Sequence, residues 1–302
     1  MAVPHFLDVT DLDSSSLVAV LDLAERGALP QVLSGRGVAL IFEKPSNRTR
    51  HSSELAVVQL GGHPVYTRGE EIGLDSRESV EDVTRVLAGY HAMLAARVLD
   101  HRSLLRMAAV SDVPVVNLLS DVSHPLQAVA DVLTMRQVHG SLSGQTVAYV
   151  GDYCNVARSL AEACLLLGAD VSLGCPREYG PGGAELDRLA AVGSPAGAEV
   201  RWSDDPGEAV VGAIAVHTDT WVSMGKEDEK AARIAAFGAY SVDEGLMSRA
   251  LPGAGFYHCM PAYRGLEVSA AVIDGPSSHV IRQAHNRMHA ARAVMAWLLG
   301  VR

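Results

Sequence analysis

Two kinds of apolar spacing alternate along this chain. Gly37-Val38-Ala39-Leu40-Ile41 is an unbroken apolar run bounded by glycine, the pattern of a strand buried on both faces, and 37–43 is read as that strand. Ala92–Ala96, Val113–Leu119, Thr146–Val150, Val171–Gly174, Ala213–His217 and Gly255–Tyr257 repeat the pattern, and Pro64-Val65-Tyr66 begins a shorter strand. Helical spacing falls between them. It covers 8–27 (Leu17, Val18, Val20, Leu21, Leu23), His51–Leu60, the stretch begun by Ser79, Pro125–Val138, Ala157–Leu167 and 283–302. Strand and helix in alternation predict an α/β fold with parallel sheets. Gly140 and Ser141-Leu142-Ser143-Gly144 mark a boundary, after which a second Rossmann-like unit starts.

The chain has 302 residues, enough for two packed domains, and 48% of them are hydrophobic. A formal net charge of −10 argues against a general nucleic-acid or anionic-membrane binder. No apolar run reaches membrane-spanning length, and Met1–Thr10 lacks a signal-peptide pattern. The four cysteines (Cys154, Cys164, Cys175, Cys259) show no CxxC pairing. Neither structural zinc nor a disulfide framework is expected, and a reducing cytoplasm is the default. No G-x-G-x-x-G follows any strand, which argues against a dinucleotide.

The most chemical stretch is Phe42–Arg50, a strand-to-helix turn in which Pro45 sets the bend and Ser46 is a candidate N-cap. Free backbone N–H groups and the positive helix end suit an anion there, with hydroxyls from Ser46 and Thr49 and guanidinium forks from Arg48 and Arg50. A capped helix with two surface arginines is the plainer alternative. Other candidates stand at element ends: Arg97 after a strand, His124 before a helix, Asn155 at a helix start where it could be an N-cap, and Asp219 after a strand. Cys259, beside the last strand, could be a buried small hydrophobe.

Ser46-Asn47-Arg48-Thr49-Arg50 resembles the Ser-Thr-Arg-Thr-Arg carbamoyl-phosphate loop of the aspartate/ornithine carbamoyltransferase family. Four further motifs agree in order. His124-Pro125-Leu126-Gln127 resembles His-Pro-x-Gln, and Asp219 followed by Ser223-Met224-Gly225 resembles the loop of the ornithine branch. His258-Cys259-Met260-Pro261 resembles His-Cys-Leu-Pro, and His285-Asn286-Arg287-Met288-His289 resembles Glu-Asn-Arg-Met-His. Cys154-Asn155 keeps the second of two adjacent asparagines usual in the family, and Glu71-Ile72-Gly73 stands where Gln-Ile-Gly is common.

The resemblance implies two Rossmann-like parallel-sheet domains joined by interdomain helices. One, 1–138 completed by 283–302, would bind carbamoyl phosphate; the other, 139–282, would bind ornithine. The implied activity is carbamoyl transfer to the δ-amine of L-ornithine, giving L-citrulline and phosphate. Carbamoyl phosphate would be held by Ser46, Asn47, Arg48, Thr49, Arg97, His124, Gln127, Cys259, Met260 and Arg287, and ornithine by Asn155, Asp219, Ser223 and Met224. Arg97, His124, Asp219 and Cys259 would be catalytic. A homotrimer, no metal and no organic cofactor are implied as well. Glu71, a carboxylate near a bound phosphate, would point elsewhere or pair with an arginine. Alternatives are another amine acceptor (putrescine, lysine or a modified ornithine) and a non-catalytic regulatory paralogue.

Overall fold

In the structure, a computed structural model, residues 3–222 and 227–302 are described. The chain forms two compact units, Met1–Ala130 with His285–Arg302, and Asp131–Ala284.

Unit 1 opens with α1 (Ser14–Glu25), capped by Asp13, whose carboxylate accepts the Ser16 N–H. Then follow β1 (Gly37–Phe42), α2 (Asn47–Gln59), β2 (His63–Arg68), the short α3 (Gly69–Ile72), α4 (Val80–Tyr90), β3 (Met93–Arg97), α5 (His101–Val110), β4 (Val115–Leu119) and α6 (Pro125–His139). The four strands are parallel in the order β2-β1-β3-β4. β1 and β3 are central and almost wholly buried, which explains their unbroken apolar runs. Ile41, Ala96, Leu104, Met107 and Val115 pack together with Val80 from α4. Strand order reverses between β1 and β3, the place in an open parallel sheet where ligands meet the carboxyl strand ends.

Unit 2 holds β5 (Thr146–Val150), α7 (Asn155–Leu166), β6 (Asp170–Gly174), α8 (Gly183–Gly193), β7 (Val200–Ser203), α9 (Pro206–Ala209), β8 (Ala213–Thr218), α10 (Lys230–Phe237), α11 (Glu244–Met247), β9 (Gly255–His258), α12 (Ala270–Ile273) and the start of α13 (Val280–Leu298). Its parallel sheet runs β7-β6-β5-β8-β9, with the reversal between β5 and β8. Val150, Val216, Trp221, Phe237, Phe256 and Val272 belong to one buried cluster. The chain passes between the units within α6 and again within α13.

Several boundaries differ from the sequence reading. Residues 8–27 divide into a 3-10 turn, Val9–Asp11, and α1, with Val18 40% exposed instead of on the buried face. α2 begins at Asn47, not His51, because its polar first turn carries no apolar periodicity. The last helix starts at Val280 and stops at Leu298. Val200–Ser203 forms an edge strand the pattern did not signal: Arg201 is exposed and Trp202 half-buried.

Candidate active site

Each unit carries part of its chemistry at the carboxyl ends of the two strands flanking its reversal, and the rest on the following strand end or on α13. In unit 1, β1 leads through Glu43 to Ser46, the N-cap of α2, whose own side chain makes no capping bond. Asn47, Arg48 and Thr49 thus form the first helical turn. Arg97 ends β3, where the register against β4 shifts. The Glu43 backbone N–H donates to the Arg97 carbonyl at 3.0 Å, and the Glu43 carboxylate accepts the Leu99 N–H at 2.7 Å, so the two strand ends are tied together.

Thr49, Arg97, His124, Gln127 and Arg287 are all buried. Arg287 organises three of the others. Its Nη2 donates to Thr49 Oγ1 at 3.0 Å, its Nη1 donates to Gln127 Oε1, and the same Nη1 faces His124 Nε2 at 3.5 Å. Burial first, then the positive charges of Arg287 and Arg97, hold His124 well below the usual histidine range. The imidazole is therefore neutral at neutral pH. Arg287 has only donors, so Nε2 presents its lone pair and the ring proton belongs on Nδ1. Two buried guanidiniums, a neutral imidazole and a helix N-terminus make a cationic cluster suited to a small phosphorylated anion.

Arg50 does not serve that cluster as expected. It pairs with Glu54 at 2.8 Å, one helical turn away, and lies over the Tyr66 ring at 3.8 Å from the centroid. Glu71 is turned to its local backbone, its carboxylate accepting the Arg68 N–H at 3.2 Å. His285 is exposed.

In unit 2, Asp219 follows β8 directly and is 7% exposed. The Cys259 thiol donates to its Oδ1 at 3.0 Å, and the Cys154 thiol lies 3.9 Å from its Oδ2. Burial, and then the Asp219 charge, push the Cys259 thiol well above its ordinary value; the same two causes, with Asp152, push Cys154 up to about 12. Both sulfurs are protonated donors, not thiolate nucleophiles. Asn155 is the first residue of α7 and Cys154 its N-cap, so the N-cap reading of Asn155 is displaced by one residue. Ser223 and Met224 lie outside the described residues.

The turn carrying Cys259 and Met260 is anchored from behind. Met260 is left-handed at φ +62°, a costly conformation for a side chain of its size, and its N–H donates to His258 Nδ1 at 2.9 Å. His258 Nε2 faces Glu267 Oε1 at 3.3 Å, and the His258 N–H donates to Gln283 Oε1 at 2.9 Å. Gln283 in turn donates to Asp131 Oδ1 at 2.6 Å. Asp219, His258 and Cys259 bring donor atoms within 4.8 Å of one another, a set of types that zinc accepts. Here, however, the thiol is spent on Asp219 and both imidazole nitrogens on Met260 and Glu267. Unit 2 therefore offers a buried carboxylate, fixed in place by the Cys259 thiol, that suits an ammonium group.

The structure thus gathers Thr49, Arg97, His124, Gln127 and Arg287 in one unit, and Asp219 and Cys259 in the other, with Asn155 on the neighbouring strand end. Sequence reasoning missed Cys154 as a partner of Asp219, although its place beside Asn155 was a signal. It also missed the support of the turn by His258, which it named only within a motif, and by Glu267 and Gln283, for which no local signal exists.

Residues 4–137 match the carbamoyl-P binding domain of the aspartate/ornithine carbamoyltransferase family, and residues 143–298 match its Asp/Orn binding domain. The chain is 43% identical over 302 residues to an ornithine carbamoyltransferase of Acidothermus cellulolyticus, covering 98% of this chain and 97% of that one. It is 38% identical over 292 residues to the protein of that name from Bacillus subtilis, covering 97% and 92%. Among solved structures, ornithine carbamoyltransferase from Pyrococcus furiosus superposes with a TM-score of 0.95 at 38% identity, over 100% of this chain and 99% of that one.

Proposed function

The chain belongs to the aspartate/ornithine carbamoyltransferase family, and on that premise we propose that it transfers the carbamoyl group of carbamoyl phosphate to the δ-amine of L-ornithine. The products are L-citrulline and phosphate. The observation that carries this reading is the charge division of the two half-sites: buried Arg97 and Arg287 in one, buried Asp219 with its Cys259 donor in the other. One suits the doubly anionic donor, the other the cationic acceptor. A phosphate-binding paralogue would have no use for the second.

In this reading 1–138 with 283–302 binds carbamoyl phosphate. Ser46, Asn47, Arg48, Thr49 and Arg97 neutralise the phosphate and make it a better leaving group. Thr49, Arg97 and the neutral His124 stabilise charge growing on the carbonyl oxygen, each worth roughly 3–4 kcal/mol in comparable oxyanion sites. Gln127, Arg287 and the Cys259 and Met260 carbonyls orient the carbamoyl amide. The 139–282 segment binds ornithine, with Asn155 toward the α-carboxylate and Ser223 and Met224 closing the site. Asp219, oriented by the Cys259 thiol, receives the δ-ammonium and accepts one of its protons, which it passes to solvent. The freed amine attacks the carbonyl carbon, the bond from carbon to the phosphate oxygen breaks, and the departing phosphate takes the second amine proton. No step calls for a metal or an organic cofactor. A cytoplasmic homotrimer, as the family resemblance implies, completes the proposal; among the described residues no helix is long and apolar enough to cross a membrane.

The test is citrulline formation from carbamoyl phosphate with L-ornithine, run beside putrescine, L-lysine, L-aspartate and N-acetyl-ornithine. Strong preference for ornithine is expected. Turnover only with another amine would overturn the acceptor assignment.

A further inference from the structure

Arg233, on α10, has its side chain 7% exposed and spans three segments. Its Nη1 donates to Asp152 Oδ2 at 2.7 Å and to the Trp221 carbonyl at 3.1 Å, and its Nε donates to Glu229 Oε2 at 2.8 Å. The Tyr179 ring lies beneath the guanidinium, 5.0 Å from its carbon. Asp152 sits between β5 and α7, three residues before Asn155. Trp221 comes two residues after Asp219. β5 and β8 are neighbours, with Tyr149 opposite His217. One guanidinium therefore bridges the carboxyl ends of the two strands that bear the acceptor residues. We propose that Arg233 is the positioning residue of the acceptor half-site, holding the ends of β5 and β8 at the spacing that sets Asn155 against Asp219. The inference rests on the acceptor reading above and names a residue that touches no substrate.

The chemistry requires arginine. Its planar fork fixes the directions of several N–H groups at once, whereas a lysine ammonium supplies the charge without the fixed angles. Docking of α10 does not hang on this residue, because Phe237, at the end of the same helix, is fully buried against Trp221, Tyr179 and Tyr240. Loss of the fork should then shift the strand-end loops while the helix stays packed. That separates positioning from general stability.

The experiment is steady-state kinetics on the full chain, with each substrate varied, for wild type, Arg233→Lys and Phe237→Leu. Arg233→Lys should raise the KM for L-ornithine about 10-fold or more, as expected for a misplacement of under an ångström. Its KM for carbamoyl phosphate should stay within about twofold and its melting temperature within a few degrees. Phe237→Leu should lower the melting temperature without the selective rise. An Arg233→Lys enzyme that matches wild type, one that raises both KM values alike, or a Phe237→Leu enzyme that reproduces the selective rise would each overturn the proposal. Wild type that forms no citrulline at all would instead overturn the functional reading, and this inference with it.

Discussion

Replacing Arg287 with methionine keeps most of the side-chain volume and removes the guanidinium at the centre of the cationic half-site. Two hydrogen bonds disappear, to Thr49 Oγ1 and Gln127 Oε1, both charge-assisted and both buried. Bonds of this kind contribute about 1.5–3 kcal/mol each, so the pair amounts to about 3–6 kcal/mol of ordering around the carbamoyl group. If that ordering is realised in the transition state, kcat/KM for carbamoyl phosphate falls by about 10²- to 10⁴-fold. The substitution also has a signature that simple loss of fold would not produce. The Arg287 charge is the second cause, after burial, of the low His124 pKa, so removing it moves that pKa upward. In the proposed reaction His124 acts in its neutral form, so activity should be lost as pH falls through its pKa. The acidic limb of the rate profile should therefore appear at higher pH in the variant. Initial rates of citrulline formation across about pH 5 to 8 would show it. A variant within about threefold of wild type, or one whose acidic limb moves to lower pH, would refute this account of Arg287.

Three further outcomes follow from the same geometry. Asn47 opens the first turn of α2, where the Ser-Thr-Arg-Thr-Arg loop it resembles has a shorter threonine, so Asn47→Thr should raise kcat/KM for carbamoyl phosphate by about threefold; a fall would contradict the reading of Asn47 as a departure that lowers activity without abolishing it. Because burial and Asp219 keep Cys259 and Cys154 protonated, iodoacetamide at pH 8 should alkylate them at under about a tenth of the rate of a free thiol. Rapid modification of both in the native protein would show that they are thiolates. His124 binds fewer protons folded than unfolded between its lowered pKa and about 6.5, so stability should fall as pH drops below about 6.5, by up to about 1.4 kcal/mol per pH unit from this residue. Urea melts of wild type and His124→Asn should diverge in that direction, with the variant flatter; parallel curves would exclude the linkage.

What the sequence disclosed depended on how local its signal was. β1, β3 and β5 are interior strands of parallel sheets, so their apolar runs mark them without help from elsewhere. The edge strand β7 had no such run, since only one side of it is covered. The start of α2 was hidden because Asn47, Arg48 and Arg50 are polar and lie outside the buried face of the helix. The pairing of Arg50 with Glu54 was readable as a one-turn ion pair, and an anion-site interpretation masked it. Contacts across the fold were beyond any local pattern. Arg287 reaches Thr49 across 238 positions and Gln127 across 160; only the motif resemblance placed them together. Arg233 had neither a motif nor a periodicity to mark it, since its role comes from where Asp152 and Trp221 lie in space.

The most direct test of the central claim follows the carbon and the phosphate together. [¹³C]Carbamoyl phosphate and L-ornithine are incubated with the protein, and ureido carbon and inorganic phosphate are counted by NMR. The account predicts one labelled citrulline for each phosphate released, with release suppressed when ornithine is left out. Phosphate released without citrulline, or a protein that binds carbamoyl phosphate and turns over nothing in the presence of ornithine, would contradict it.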